Sequence, residues 1–119
     1  MPAAVNIAEK FAQFTEQWQP KRIARLNDYD VRLARLEGEF VWHAHDDTDE
    51  MFLVIAGELK ILLRDGEVAL RAGDLYVVPR GVEHKPVAER ECQVLLIEPS
   101  DVVNTGTAGG ERTATVHDL

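Results

Sequence analysis

The sequence contains a single cysteine, Cys92, among its 119 residues. One cysteine cannot form an intramolecular disulfide, and it excludes a zinc site built mainly from thiolates. An apolar run begins at Cys92, whereas a reactive thiol needs a basic, partly exposed setting. The sequence therefore favours a buried structural thiol over a catalytic one.

Clustered positive charge is also missing. Lys and Arg number 13 against 21 Asp and Glu, the formal net charge is -8, and no basic run of five or more residues occurs. Nucleic acids and anionic membranes are bound by clustered Lys and Arg that neutralise phosphates. We therefore expect neither a nucleic-acid partner nor a membrane partner.

Long hydrophobic segments are absent as well. The longest apolar run, Met51 to Ala56, is far shorter than the roughly 18 residues of a membrane span. The first four residues show no basic region followed by an apolar stretch, so no signal peptide is visible, and we expect a cytoplasmic location. A chain of 119 residues with 45% hydrophobic and 29% charged residues is typical of one globular domain.

The first segment of the chain has the apolar periodicity of a helix. Over residues 6–18, four apolar side chains recur at the spacing of one helical stripe. They are Ile7, Phe11, Phe14 and Trp18. Asn6 can cap the helix by accepting a hydrogen bond from the amide of Glu9, and Pro20 ends it. We interpret the stripe as a face packed on the protein body, with a cofactor or partner groove as the alternative.

From residue 22 onward the apolar period changes from 3.6 to 2. Candidate strands cover 22–27, 30–37, 39–45, 50–55, 58–64, 67–70, 74–78, 84–89 and 92–98. Asp65-Gly66 is a two-residue hairpin signal, and many short, evenly spaced strands favour an antiparallel sandwich or barrel. The predicted organisation is an N-terminal helical segment packing on the barrel (1–21), a barrel (22–99), and a loop or mobile C-terminal tail (100–119).

The residues that carry chemistry lie in two short segments. His43 and His45 are two residues apart on a predicted strand, so both imidazoles leave the same face. Glu50 follows an acidic turn, and His84 begins a later strand. Three imidazoles and a carboxylate suit a divalent metal. The alternatives are surface histidines and a solvated acidic turn, and we expect His117 in the tail to be such an ordinary residue.

A glycine framework around these residues resembles two known motifs. Gly38-x4-His43-x-His45-x4-Glu50-x6-Gly57 is similar to the first cupin motif, and Gly73-x5-Pro79-x-Gly81-x2-His84 is similar to the second. The first motif is one residue short after its first glycine, and Ala88 stands where the second ends in asparagine. The sequence thus resembles small single-domain cupins of type 2, in the RmlC-like cupin superfamily, with a strand pattern extending over about 22–98.

The resemblance implies an all-β fold, the double-stranded β-helix or jelly-roll barrel of two antiparallel sheets, with a short N-terminal helix. It implies one divalent metal ion, with Fe, Mn, Ni and Zn left open, and these ligands: His43, His45, Glu50 and His84. Some similar proteins are labelled as resembling mannose-6-phosphate isomerase. We discount that activity because 119 residues leave no room for the extra substrate-binding domain of the sugar isomerases.

Strand parity predicts what surrounds the metal. With the ligands pointing inward, the following side chains point inward too: Val41, Phe52, Val54, Pro86 and Ala88. Such an apolar wall suits a small, partly apolar organic molecule better than a phosphosugar, which needs a cationic clamp. Arg80 and Lys85 near the His84 loop, and Tyr76 on its strand, are left open as pocket residues or ordinary surface and packing residues.

The alternate set of side chains is expected to face outward. It consists of Phe40, Trp42, Ala44, Met51, Leu53 and Ile55. A contiguous apolar patch on a surface usually marks an interface, so we predict a homodimer. The alternative is a monomer in which the helix and the strands over 22–37 cover the patch.

Three functions remain open for such a protein. The first is a metal-dependent enzyme, either an oxygenase or another cupin-type enzyme, that acts on a small organic molecule. The second is a binding or sensing protein whose metal anchors a small-molecule ligand. The third is a metal-stabilised barrel without turnover.

Overall fold

The structure, a computed structural model, describes residues 3–119, and its regular secondary structure is almost entirely β-strand. The elements are α1 (Ile7–Phe11), β1 (Lys21–Leu26), β2 (Tyr29–Glu39), β3 (Glu50–Ala56), β4 (Glu58–Leu63), β5 (Gly66–Arg71), β6 (Leu75–Val78), β7 (His84–Pro99) and β8 (His117–Asp118). Residues 1 and 2 of the predicted N-terminal segment lie outside the described range. No helix within 3–119 is long and apolar enough to cross a membrane.

Two long strands, β2 and β7, hold the antiparallel strands of the barrel together. They pair with each other along most of their length. The first part of β7 also pairs with β4, which continues to β5. The last part of β7 pairs with β3, which continues to β6. Beyond β2 follow β1 and the short parallel strand β8. This arrangement confirms the predicted all-β, jelly-roll fold.

The strands bury one apolar cluster inside the barrel and a second on its outer face. The inner cluster includes Phe52, Val54 and Ala88, as strand parity predicted. The outer cluster is centred on Phe11, Phe14, Leu33 and Leu95, with Met51, Leu53 and Ile55 partly buried against it. The N-terminal helix therefore packs on the barrel and covers part of the outward-facing side chains of β3.

The helix is shorter than the sequence predicts. Its start at the cap residue Asn6 is correct, but the predicted extension over 6–18 is wrong beyond Phe11. The physical reason is that the apolar stripe serves two clusters. Phe14 packs in the outer cluster, whereas Trp18 enters the inner one. A single helical face cannot reach both, so the chain leaves the helix between them.

The predicted strand 39–45 is wrong as a regular strand. Beyond β2 this segment is irregular and joins the barrel through an isolated bridge between His43 and His84. Without regular alternation, two side chains predicted to face outward are buried instead. Phe40 is 7% exposed and belongs to the inner cluster, and Ala44 is 6% exposed.

Two other strand predictions are corrected by the pairing. The predicted strands 84–89 and 92–98 form one continuous strand, β7, because β2 pairs with both parts across an irregularity. The predicted hairpin between β4 and β5 is present. Its loop residues are Arg64 and Asp65 rather than Asp65-Gly66, since Leu63 pairs with Gly66.

The turn between β3 and β4 requires the glycine that the sequence places there. Gly57 has a φ of +83°, and a Cβ atom would lie 2.9 Å from the carbonyl oxygen of Glu91. It would also lie 3.2 Å from the Cα of Cys92. Cys92 is fully buried, and burial raises the pKa of its thiol to about 11. The expected burial of this thiol is confirmed.

Candidate metal centre

The four residues predicted as metal ligands converge in the structure. Each offers one ligand atom, and these atoms lie within 4.8 Å of one another, with all four residues buried. His43 and His45 come from the irregular segment before β3, Glu50 is the first residue of β3, and His84 is the first residue of β7. Residues 41 positions apart in sequence are thus brought into one group.

Backbone hydrogen bonds fix the two strands of this group relative to each other. The amide of His43 donates to the carbonyl of His84 at 3.0 Å, and the amide of His84 donates to the carbonyl of His43 at 2.9 Å. Two histidines that exchange both backbone hydrogen bonds have adjacent side chains. Their ring centroids are accordingly only 4.2 Å apart.

Two of the imidazoles are oriented by backbone carbonyls. The Nδ1 atom of His43 lies 2.9 Å from the carbonyl oxygen of Val41, and that of His84 lies 3.0 Å from the carbonyl oxygen of Val82. A neutral ring that donates from Nδ1 has its lone pair on Nε2. Metal-binding histidines are commonly oriented by this type of hydrogen bond, so both rings present Nε2 as the ligand atom.

The Glu50 carboxylate lies between the other ring nitrogens. Its Oε1 atom is 3.0 Å from Nε2 of His84, and its Oε2 atom is 3.0 Å from Nε2 of His45. The second contact lacks hydrogen-bond geometry, so the buried Nε2 atom of His45 has no hydrogen-bond partner. A buried ring nitrogen left in this way beside a carboxylate fits a metal ion, and the three imidazoles with one carboxylate match a divalent ion of borderline softness.

Burial and close contacts set the protonation of two members of the group. Burial lowers the pKa of His43 to about 4, and the neighbouring His84 adds to this effect. Burial by itself would raise the pKa of Glu50, but contacts with His45 and His84 outweigh it and lower the pKa to about 2. A neutral imidazole and an ionised carboxylate are the forms that bind metals.

A cavity of about 40 Å³ extends from the centre into the barrel, and its wall includes His43 and Glu50. Most of the wall is apolar, formed by Trp18, Pro20, Ala34, Leu36, Phe40, Phe52, Pro86, Val94 and Leu96. Of the wall residues predicted from strand parity, Phe52 and Pro86 line the cavity, whereas Val41, Val54 and Ala88 do not. The remaining polar residues of the wall are Glu98 and Asn104.

Sequence analysis missed Glu98. This residue on β7 is 1% exposed, and its Oε1 atom accepts a hydrogen bond of 3.0 Å from Arg32. Burial raises the pKa of Glu98 well above its usual range, the nearby Glu50 carboxylate adds to this, and Arg32 opposes it. Alternation with the inward-facing Val94 and Leu96 was the signal that could have found it.

The C-terminal segment, residues 100–119, crosses the segment that carries His43 and His45. The amide of Thr107 donates to the carbonyl of Ala44 at 2.9 Å, and the amide of Ala44 donates to the Thr107 hydroxyl at 3.1 Å. The approach is close at Gly106, where a Cβ atom would lie 2.3 Å from the Ala44 carbonyl oxygen. Strand β8 then pairs with β1.

The residues left open as pocket residues do not line the cavity. Arg80 and Lys85 form ion pairs with acidic neighbours, and Tyr76 packs against the inner cluster. His117 is exposed and lies in β8. The cavity wall formed by the described residues therefore carries no Lys or Arg side chain.

Comparison with known proteins agrees with this architecture. The family model described as cupin domain matches residues 30–98. The uncharacterized protein YdbB of Bacillus subtilis (strain 168) is 42% identical over 83 residues, which is 69% of this chain and 67% of YdbB. A cupin-2 domain containing protein from Shewanella frigidimarina is 52% identical, with a TM-score of 0.79 over 80% of this chain and 93% of that chain.

A more distant structural relative is an enzyme of known reaction. Hydroquinone 1,2-dioxygenase from Sphingomonas sp. TTNP3, solved with 4-hydroxybenzoate bound, has a TM-score of 0.66 and 19% identity. The match covers 78% of this chain and 72% of that chain. At this level of identity, the likeness establishes a shared fold.

Proposed function

Because the chain belongs to the cupin-domain family, whose model matches residues 30–98, we propose that it is a metal-dependent enzyme of the oxygenase type. Its substrate would be a small, partly apolar organic molecule. The observation that carries this proposal is the buried His43, His45, Glu50 and His84 group at a cavity with apolar walls. One divalent ion would be held by these four residues.

The protein's own residues prepare this centre for a bound ion. The carbonyls of Val41 and Val82 orient two imidazoles, and the ionised Glu50 supplies the negative charge. When bound, iron would supply redox chemistry, and manganese, nickel or zinc would supply Lewis-acid chemistry. The apolar wall excludes water and leaves the substrate's apolar part in contact with side chains such as Phe52 and Leu96.

A second candidate is a binding or sensing protein that uses the metal to anchor its ligand. The small cavity supports it, because a volume of about 40 Å³ holds a ligand end rather than a large substrate. Sugar-phosphate isomerisation is disfavoured at this site. A phosphate group is usually held by Arg or Lys, and the described cavity wall contains neither.

The experiment that tests the oxygenase proposal starts with protein purified without added metal. Elemental analysis gives the metal, and oxygen uptake is then followed with catechols, thiols and diketones. Stoichiometric iron with substrate-dependent uptake supports the oxygenase. Tight ligand binding without turnover supports the binding protein instead. The His84→Ala variant should lose both metal and uptake, and the exposed His117→Ala variant is the matched control.

We also propose that the protein is a homodimer in the cytoplasm. The apolar side chains of β6 support the dimer, since Leu75 is 54% exposed and Val77 is 44% exposed. They pair across the strands with Leu53 and Met51, so the four side chains share one face. The helix covers only part of that face, and a second copy of the chain would cover the rest.

A further inference from the structure

One oxygen atom in the cavity is left without a role by the metal centre. The polar wall residues are His43, Glu50, Glu98 and Asn104, and the first two belong to the metal group. The Oε2 atom of Glu98 is buried and receives no hydrogen bond from an N–H or O–H group of the described residues, and the neighbouring Glu50 carboxylate is itself an acceptor. A buried carboxyl oxygen that lacks a donor costs on the order of 1–3 kcal/mol, so this atom needs a donor.

Asn104 cannot serve a ligand in the same way. Its amide nitrogen donates to the carbonyls of Trp18 at 3.2 Å and Arg112 at 2.8 Å. Its amide oxygen accepts from the backbone of Ala114 at 2.9 Å. These bonds use both hydrogens of the amide and one of the two lone pairs of its oxygen. Asn104 therefore has no donor left for a ligand, and Glu98, whose Oε2 receives no hydrogen bond from the described residues, is the better-placed polar contact in the described wall apart from the metal group.

Glu98 is held in a fixed position by a buried cation. Arg32 is 0% exposed and contacts Oε1 of Glu98 at 3.0 Å. The other hydrogen bonds of this guanidinium go to Asp30 and to the carbonyls of Ser100 and Val102. All five of its N–H groups are thus engaged, so Arg32 orients the carboxyl group and has no donor left for a ligand.

The strand register places Glu98 beside the metal group. Met51 pairs with Ile97 and Phe52 pairs with Leu96, and continuing this antiparallel register sets Glu50 opposite Glu98. Both side chains line the cavity. A ligand group next to a metal held by Glu50 would therefore lie within reach of Oε2 of Glu98.

We infer that Glu98 determines ligand specificity by hydrogen-bonding a hydroxyl group of a neutral small molecule. A hydroxyl can either donate or accept, so it satisfies Oε2 in either protonation state of the carboxyl group. At Oε2 itself an anionic group is disfavoured by the adjacent carboxylates and by the lack of a free donor on Arg32. Since the cavity is small, it takes the hydroxyl-bearing end of the ligand, and the remainder extends out of it. This inference rests on the proposed small-molecule site.

The test compares phenol with toluene, which differ by a hydroxyl in place of a methyl group. Zinc-loaded protein is used, because binding is then measured by NMR titration without turnover. We expect wild type to bind phenol at least about 10-fold more tightly than toluene. In Glu98→Met the ratio should fall to near one, with toluene affinity unchanged. Leu96→Met, in the same wall, is the matched control and should keep the wild-type ratio.

Zinc itself could attract phenol, and the variants separate this effect from Glu98. A metal-loaded, folded Glu98→Met protein that keeps the phenol preference would overturn the inference, as would equal binding of phenol and toluene by wild type. A measurement on wild type guards against misfolding of the variant. The carboxyl carbon resonance of Glu98, assigned with Glu98→Gln, should shift with phenol and not with toluene. Loss of oxygen uptake alone would affect the proposed oxygenase and leave this binding result intact.

Discussion

Burial lowers the pKa of the His43 imidazole, and this makes the stability of the metal-free protein depend on pH. The pKa of its imidazole is about 4 in the folded state against the usual 6.5. Between pH 6.5 and 4 the imidazole is therefore protonated in the unfolded chain but neutral in the folded protein. The stabilising contribution is complete above pH 6.5 and is lost as the pH falls toward 4. The shift corresponds to about 3 kcal/mol.

The raised pKa of Glu98 acts in the opposite direction in this range, so the contribution of His43 is isolated by comparison: between pH 6.5 and 4 the unfolding free energy of the metal-free wild type should fall relative to that of His43→Gln. That variant lacks the titrating group, whereas the control His117→Gln should follow wild type. Urea unfolding at a series of pH values, with a chelator present, measures the difference. Parallel curves for wild type and His43→Gln would contradict the assigned pKa.

At the level of single residues, the sequence predicted the four metal ligands but not the neighbouring Glu98. The resemblance of the two glycine-framed motifs to the cupin motifs was sufficient to predict that His43, His45, Glu50 and His84 converge. Glu98 was missed because it ends an apolar run that predicts a core strand. Alternation with Val94 and Leu96 places Glu98 inward, but no local pattern indicates that its carboxyl group pairs with Arg32, 66 positions away.

Among the elements, regular strands were predicted better than the segments between them. Periodicity indicates which side chains are buried, but not which of two clusters receives them. Phe14 and Trp18 lie on one predicted helical stripe, yet they pack in different clusters. Phe40 lies in an irregular segment, where strand parity does not apply, and it stacks on Trp18 at 4.7 Å.

The contact between the C-terminal segment and the ligand-bearing segment yields a second prediction. Gly106→Ala would place a Cβ atom against the Ala44 carbonyl and break the two hydrogen bonds between Ala44 and Thr107. We expect a loss of about 2 kcal/mol in stability and faster amide hydrogen exchange at both residues. Gly109→Ala is the control, since its φ is +60° and no atom lies within 4 Å of its added Cβ.

Comparing Gly106→Ala with Gly109→Ala distinguishes the effect of steric contact from that of backbone strain. Both have a positive φ, so both variants carry a similar conformational cost of about 1–2 kcal/mol. Equal losses of stability in the two variants, with unchanged exchange at Ala44 and Thr107, would show that the close approach at Gly106 does not hold the segment.

For the whole molecule, the proposed dimer depends on the exposed apolar side chains of β6 and the adjacent side chains of β3. Exposed apolar surface costs roughly 25 cal/mol per Å², and a second copy would remove it from water. Light scattering at micromolar concentration should give about twice the 13.3 kDa chain mass. Val77→Glu should shift the protein to monomer, because it would bury an unpaired charge.

Val103→Glu provides the matched control for the dimer. Val103 is 45% exposed and lies in the C-terminal segment, outside the strands β3 and β6. This variant should keep the wild-type mass. A wild-type mass near that of one chain would contradict the dimer, and a Val77→Glu variant with the wild-type mass would place the interface elsewhere.

The metal content of the purified protein tests the central claim most directly. Wild type and the exposed-residue variant His117→Ala should each hold about one divalent ion per chain after loading and removal of excess metal. His45→Ala, which removes the buried ring nitrogen without a hydrogen-bond partner, should hold almost none while its circular dichroism shows a folded barrel. Equal metal content in all three proteins would contradict the assignment of His43, His45, Glu50 and His84 as the metal centre.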